Sequence, residues 1–509
     1  MITIYRGGVM AGQFPWDGQR CTLAEAVLRG GADMELPCGG HGRCGKCKVQ
    51  ASGHICPMDG QERERLTPVE IQSGLRLACR AVICGEDVEI RLPESGAMQV
   101  ETSALPADMT WSPWADGLGL TVDIGTTTVA AYLWDLDARR RLGVAACKNP
   151  QESFGADVVS RQEAALSGKG AALQACIRQC LAALAEQLCA GAGRSVREIG
   201  GVVITGNTSM LYLLRGYEVQ DLAFAPFAAQ HRFGELVAAS ALGLPWRQDC
   251  RVYLPPCISA YVGADISCGL LACGVLSHRG SGLLADVGTN GEIALLHGGR
   301  LLCCATAAGP AFEGVGISCG SAAVAGAIDR VALRDGQLHI HTVGEQPPVS
   351  LCGSGLLDAV SCLVQRGDIE DTGFMEADTL PLGGCVSLTR GDIRAFQLAK
   401  SAICAGVETL LDAAGIPAEA PDTLWLSGGF GSRLSPDSAG RIGLFPAVLT
   451  EKAIPAGNTA AAGAAQLLCN SGALAEIERI AALAETVELA NSAVFQQQFV
   501  ERMTLEEVW

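Results

Sequence analysis

The chain has 509 residues, 49% hydrophobic and only 18% charged, which is enough to bury the cores of two or three domains and too apolar for a disordered chain. A formal net charge of −17, a pI ≈ 4.9 and no Lys/Arg-rich run exclude a surface built for nucleic acid. No uninterrupted apolar stretch is long enough to span a bilayer, and the first residues lack a charged segment followed by an apolar one. The 23 cysteines follow no secreted-domain framework, so a reducing, oxygen-poor cytoplasm is expected, with no membrane partner.

Residues 2–93 alternate short strands and turns. Thr22 is placed to cap a helix, Leu23-Ala-Glu-Ala-Val-Leu28, which Gly30-Gly31 ends. Val88-Glu-Ile-Arg-Leu92 alternates with the period of a strand. Between them stand Cys38, Cys44 and Cys47 in a glycine-rich loop, and Cys79 far downstream. Five residues separate the first two cysteines and two separate the next pair. A tight cysteine loop closed by one distant cysteine is how a chain wraps a [2Fe–2S] cluster, with four thiolates converging on two irons. Buried apolar cysteines or a four-cysteine zinc site are the alternatives, but zinc sites usually show two CxxC pairs, and only Cys44 and Cys47 form one here. The longer first gap resembles the adrenodoxin and putidaredoxin branch of ferredoxins. A strand-rich β-grasp fold with the cluster in a loop is the expectation for residues 1–93.

Residues 94–117 are read as an interdomain linker, with Trp111 placed to pin it to a surface. Beyond, Val/Ile/Leu-rich strands alternate with alanine-rich helices over residues 118–509, the signature of an α/β fold. The spacing predicts a long helix over 171–190, a buried helix within 261–276, halves of about 118–280 and 281–470, and a helical tail over 471–509. Cys176, Cys180 and Cys189 then read as small core residues.

One grammar occurs twice in this region. Leu120-Thr-Val-Asp123-Ile-Gly125-Thr126-Thr127-Thr128 and Leu284-Ala-Asp286-Val-Gly288-Thr289-Asn290-Gly291-Glu292 each give a strand, an acid, a glycine, hydroxyl or amide groups, and a second strand. The glycine removes a side chain that would block a phosphate from the backbone N–H groups. The aspartate can hold Mg²⁺ through water, which suits an ion that dehydrates reluctantly. Two such hairpins can grip a triphosphate from opposite sides. A third glycine cluster, Ser427-Gly428-Gly429-Phe430-Gly431, offers bare backbone to an adenosine. Neither a Walker A motif nor a Rossmann fingerprint is present.

Other polar–glycine segments carry weaker expectations. Asp157 and Glu313 are candidates to orient a water on the γ-phosphate, with a turn or helix cap as the alternative. Gly353 and Ser354 are candidate nucleotide contacts, Ser354 equally a helix N-cap. Lys400 reaches the nucleotide or sits on a solvated face.

The order of two phosphate loops followed by an adenosine loop resembles the actin, sugar-kinase and heat-shock-chaperone ATPase superfamily (ASKHA). Joined to the cysteine loop, it resembles the reductive activators of corrinoid proteins, a likeness carried also by Gly155-Ala-Asp-Val-Val-Ser-Arg161, Pro310-Ala-Phe-Glu-Gly314 and Leu351-Cys-Gly-Ser-Gly355. The resemblance implies a multi-domain chain, a β-grasp [2Fe–2S] domain followed by a duplicated, ribonuclease-H-like, actin-like ATPase domain. It implies cluster ligands at Cys38, Cys44, Cys47 and Cys79, and ATP with Mg²⁺ on the three loops. It further implies one-electron reduction of a methyltransferase corrinoid protein from Co(II) to Co(I), an upstream low-potential electron donor, and a homodimer. The better-known member carries an extra domain between ferredoxin and ATPase, where this chain has about two dozen residues. An activator of another metalloenzyme, or a small-molecule kinase with an appended iron–sulfur sensor, remains open on these residues.

Overall fold

The computed structural model describes residues 1–508 except 33, 35, 37–39, 41, 43, 44, 46, 93–108 and 289. The chain forms two compact units, residues 1–97 with 148–180, and residues 98–147 with 181–509. The sequence reading placed 148–180 with the ATPase domain, and the fold groups that segment with the first unit instead.

In the first unit a five-stranded mixed sheet runs in the order Val9–Phe14, Ile2–Arg6, Val88–Leu92, Lys48–Ser52, Leu75–Leu77. The N-terminal strand and Val88–Leu92 lie parallel at its centre, Ile2 opposite Val88 and Ile4 opposite Ile90. Their inward residues Ile2, Ile4, Val88 and Ile90 are buried with Leu23 and Val27 of the helix Leu23–Arg29, which is the β-grasp arrangement. Thr22 and Glu25 close that helix with a capping box, and Gly30 stands at its C-cap.

The second unit repeats one sheet plan. The first sheet runs Arg140–Lys148, Thr128–Asp135, Leu118–Ile124, Ile199–Gly206, Arg251–Leu254, Glu235–Ala238. The second runs Ala453–Gly457, Thr423–Ser427, Gly282–Val287, Gly291–His297, Arg300–Thr306, Ala484–Thr486. Each begins with an antiparallel hairpin whose first strand then pairs in parallel with a later one: Leu118–Ile124 with Ile199–Gly206, and Gly282–Val287 with Thr423–Ser427. The first strands are almost wholly buried, because helices cover the sheets. This is the duplicated architecture of an actin-like ATPase.

Between the sheets' parallel strands two small-residue helices meet, Ala264–Ala272 and Thr459–Cys469. A Cβ on Gly463 would lie 2.0 Å from the Cys268 carbonyl oxygen, so only glycine permits this backbone approach. One expectation needs correction. The segment 471–509 is not a continuous helical tail, since Ala484–Thr486 joins the second sheet beside Leu301–Cys303, between the helices Gly472–Leu483 and Ala493–Glu501. Trp111 pins the end of the linker, as its place in the sequence suggests: its Nε1 donates to the Leu136 carbonyl and Trp114 Nε1 to that of Leu467, each at 2.9 Å. Among the described residues no helix is long and apolar enough to cross a membrane.

Candidate functional site

The thiols come first. Cys47 precedes the strand Lys48–Ser52, and Cys79 follows the strand Leu75–Leu77 that pairs with it. The Ala78 N–H donates to the Cys47 carbonyl at 2.8 Å, so the sheet itself brings the two cysteines together. Both are buried, and their sulfurs lie 3.2 Å apart, far beyond a disulfide bond and close enough to serve one metal centre. Cys38 and Cys44, the other expected ligands, lie outside the described residues.

A buried ion pair braces this corner. Glu62, 1% exposed, receives Arg76 Nε at 3.0 Å and Nη2 at 2.7 Å, and its Oε1 also accepts the Leu77 N–H at 3.0 Å. The carboxylate thereby fixes Arg76 and Leu77, the end of the strand that leads to Cys79. The two converging sulfurs fit half of the ligand set of a [2Fe–2S] cluster.

The second unit gathers acids. Asp123 ends the first strand of the first hairpin, and the Gly125 N–H then bonds the Thr128 carbonyl at 2.9 Å to close the turn. Asp286 holds the same place in the second hairpin, where the Gly288 N–H bonds the Asn290 carbonyl at 2.9 Å. Asp265 stands in the first turn of its helix and Glu292 at the start of the returning strand of the second hairpin. Burial pushes the Asp123 carboxyl up to about 6, with a donor from Asn458 opposing the shift and the Asp286 charge adding to it. Burial, then the charges of Asp286 and Asp123, push Asp265 up to about 8. Asp286 is raised by burial against a bond from Ser427, and Glu292 is raised well above the usual range by burial and by Asp265 and Asp286. Four mutually repelling carboxyls are costly to assemble unless a cation joins them.

The donors around them come from distant segments. Asn458 Nδ2 donates to Asp123 Oδ2 at 2.8 Å, while its own Oδ1 caps the helix Thr459–Cys469 at the Ala461 N–H. Ser427, opposite Asp286 in the parallel register, donates to Asp286 Oδ2 at 2.8 Å and lies 2.6 Å from the Thr459 hydroxyl. One helix N-terminus therefore reaches both hairpin aspartates. The other oxygen of each aspartate carries no hydrogen bond among the described residues. Among those residues no three acidic, histidine or cysteine side chains converge closely enough to hold a metal ion directly.

Glu313 sits where the hairpins face each other. Its Oε2 accepts the Thr127 hydroxyl at 2.6 Å, and a Cβ on Gly288 would lie 3.6 Å from its Oε1. Thr126 accepts a 3.2 Å bond from Asn207 Nδ2, and Asn290 donates to Glu292 at 3.3 Å. Thr289 lies outside the described residues. In the third loop Gly428 has φ +88, and a Cβ there would lie 2.7 Å from Asp286 Oδ1, so glycine is required twice over. Gly429 faces open space, as a backbone platform for an adenosine would. The Phe430 ring is buried and stacked on Phe312, 4.4 Å between centroids, so it supports the loop from beneath.

Asp157 takes its helix-cap alternative, and three other expectations change. Asp157 belongs to the first unit and caps the helix Val158–Ala164: its Oδ1 accepts the Ser160 N–H at 2.7 Å and the Ser160 hydroxyl at 2.8 Å, so its carboxylate is already engaged. Lys400 is on no solvated face; it is wholly buried and donates to the Gly443 carbonyl at 3.3 Å, with burial pulling it down to about 8. Ser354 is not the N-cap of the helix Gly353–Arg366, a place Cys352 takes, and its hydroxyl bonds the Asp329 carbonyl at 2.9 Å. Gly353 is a packing glycine, since a Cβ would lie 2.0 Å from the Phe312 carbonyl oxygen.

The residues that sequence reasoning missed are Asp265, Glu292 as an independent member of the acid cluster, Asn458 and Thr459. Asn458-Thr459 ahead of an alanine run is a readable N-cap signal, and Asp265 is an acid in an otherwise apolar helix. Nothing in either pattern says which strand end it will meet.

Comparison with known proteins agrees with this construction. Residues 281–508 match the C-terminal domain of RACo, its ASKHA domain, and residues 118–278 match the RACo middle region. The corrinoid activation enzyme RamQ of Eubacterium limosum is 29% identical over 412 residues, 75% of this chain and 69% of its own length. The solved structure of a reductive activator for corrinoid, iron–sulfur protein superposes with a TM-score of 0.74 at 26% identity, over 100% of this chain and 99% of that one. The 2Fe-2S ferredoxin-5 of Aquifex aeolicus is 33% identical over 81 residues, 14% of this chain and 80% of the ferredoxin. The chain therefore belongs to the RACo family, in which a ferredoxin-type [2Fe–2S] domain is fused to an actin-like ATPase domain.

Proposed function

We propose that this protein is an ATP-dependent reductive activator, which passes one electron to the Co(II) corrinoid of a methyltransferase corrinoid protein and so restores Co(I). The observation that carries the reading is the end-to-end likeness to a reductive activator in a chain whose own residues supply both converging thiols and a doubled, acid-lined hairpin site.

Cys38, Cys44, Cys47 and Cys79 hold the cluster, which when bound supplies one electron and returns to its oxidised form. Glu62 and Arg76 fix the strand that presents Cys79. In the ATPase unit Asp123 and Asp286 organise the water shell of Mg²⁺ on ATP, and the backbone of Gly125 and Gly288 admits the phosphates. Gly428 and Gly429 carry the adenosine. Glu313, bonded to Thr127 and beside Gly288, is placed to orient the water that attacks the γ-phosphate. Nucleotide free energy can drive an uphill electron transfer only if ATP favours one conformation over another. The helix Thr459–Cys469, bonded to Asp123 through Asn458 and linked to Asp286 through the Ser427 hydroxyl, is the element through which a closing of the hairpins on ATP would be felt. The work is done in a cytoplasm, on electrons from a low-potential donor.

The test uses reduced, purified protein and a corrinoid protein in the Co(II) state, followed by the cobalt absorption spectrum. Co(I) is expected only with both the reduced wild-type protein and MgATP. Cys79→Ser is expected to bleach the protein and stop cobalt reduction while leaving nucleotide binding intact. Equal reduction with and without ATP, or stoichiometric zinc in place of iron, overturns the proposal.

A further inference from the structure

Away from the hairpins, the second unit carries a cavity of about 430 Å³. Its wall is the antiparallel pair Ala327–Arg334 and Gln337–Thr342, together with the helix Gly353–Arg366 and the turn at Ser435–Ser438. None of its lining residues belongs to either phosphate hairpin or to the glycines of the adenosine loop.

Its chemistry runs against the rest of the molecule. The chain has 37 Lys and Arg against 54 Asp and Glu, yet this cavity gathers two arginines and two histidines. The ladder register sets Arg330 opposite His341 and Ala332 opposite His339, so these side chains share one face with Arg334. Ala332, the residue between the arginines on that face, is small and leaves the gap open. Neither Arg330 nor Arg334 has an ion-pair partner among the described residues, whereas His341 is held by Asp329 at 2.6 Å.

The acid in the wall is already occupied. Asp358, 3% exposed, accepts the Ser438 hydroxyl at 2.7 Å and the Val331 N–H at 3.3 Å, and burial raises its pKa. It braces the Ser438 hydroxyl, while the charge of Arg330 favours its ionised form against burial. Val331 and Ile340, paired on the other face of the ladder, anchor the wall in the unit's core. A concave site of a few hundred Å³ with a few convergent polar groups is of the size that takes a small organic ligand, larger than a bare phosphate needs. Unpaired guanidinium groups with hydroxyl and imidazole donors select a phosphate.

We propose that this cavity is a second ligand site, separate from the nucleotide cleft, that binds a small organic phosphate monoester through Arg330 and Arg334, with His339 and the serine turn completing the donor set. Such a site lets a phosphorylated metabolite bias the ATPase half without competing for ATP.

The test is calorimetric titration of phenyl phosphate into the full-length protein already saturated with ADP and Mg²⁺. Saturable one-to-one binding is expected, weakened by about tenfold or more in Arg330→Gln/Arg334→Gln, with ADP affinity unchanged, because both side chains are exposed and no ion pair is lost. The single change Ala332→Glu, which sets a carboxylate between the arginines, is expected to block the probe equally. No saturable binding up to about 10 mM, or equal binding by the double variant, overturns the proposal. A matching loss of ADP affinity also overturns it, since the cavity would then be part of the nucleotide site.

Discussion

The two hairpins of the second unit share a plan but differ in what holds their acids. Asp286 is secured locally: its partner Ser427 is its neighbour in the parallel register of the same sheet and belongs to the adenosine loop. Asp123 is secured at long range, by the side-chain amide of Asn458, which caps a helix from the other half of the unit. One duplicated motif has thus acquired two jobs. Asp123 meets the shared helix directly through Asn458, whereas Asp286 meets it only by way of Ser427, which under the proposed function joins the second acid to the adenosine loop.

The bluntest way to break the comparison is to remove the acids. Asp123→Ala and Asp286→Ala should each lower Mg²⁺-dependent ATP hydrolysis by about 100-fold or more, measured as phosphate release at saturating ATP, because each deletes a carboxylate that organises the metal's waters. Normal hydrolysis in either variant would mean that the two-hairpin assignment is wrong.

Removing the donors should separate the two jobs. Ser427→Ala leaves the acid in place and loosens the adenosine loop, so the expected effect is a rise in KM for ATP of about tenfold with kcat within about threefold. Asn458→Ala frees Asp123 from the shared helix, so kcat is expected to fall about tenfold with little change in KM. The same kinetic pattern in both variants would erase the proposed difference between the hairpins.

How far each site can be read from sequence follows the same division. Cys38, Cys44 and Cys47 are close in sequence, so their spacing, with Cys79, suggests a cluster before any fold is known. The Asp-x-Gly hairpins are local as well, and Asp123 and Asp286 stand where their motifs put them, at the ends of buried strands. Asn458 and Asp265 are different. They reach the cluster because Gly463 lets one helix backbone press against the Cys268 carbonyl, and that contact joins segments roughly two hundred residues apart. A local pattern cannot encode such a meeting. Asp157 and Ser354 fail for a related reason, since an acid or hydroxyl beside a helix start has a partner within a few residues or in a neighbouring loop, and it takes that partner first. The register of Leu301–Cys303 with Ala484–Thr486 was hidden too, because a three-residue strand has no period to show.

The smallest effect concerns protons. Asp123 has its pKa raised from 3.8 to about 6 in the folded protein, chiefly by burial. A raised carboxyl favours the protonated form in the fold, so its stabilising contribution is complete below about pH 4 and lost as pH rises towards 6. At neutral pH the nucleotide-free protein therefore carries a destabilising charge, which under the proposed function the Mg²⁺ of a bound nucleotide would offset. Asp123→Asn removes the charge and keeps an oxygen for the Asn458 amide. Its expected effect is a gain in stability of about 1–3 kcal/mol at pH 7 without nucleotide, shrinking to nothing near pH 4, measured by urea unfolding across that range. The wild-type protein should also bind MgADP more tightly as pH rises from 5 to 7, since the metal needs the carboxylate, and the variant should bind it weakly with no such slope. An equal slope in both proteins would assign the proton to Asp265, whose carboxyl is pushed higher still by burial and by its two acidic neighbours.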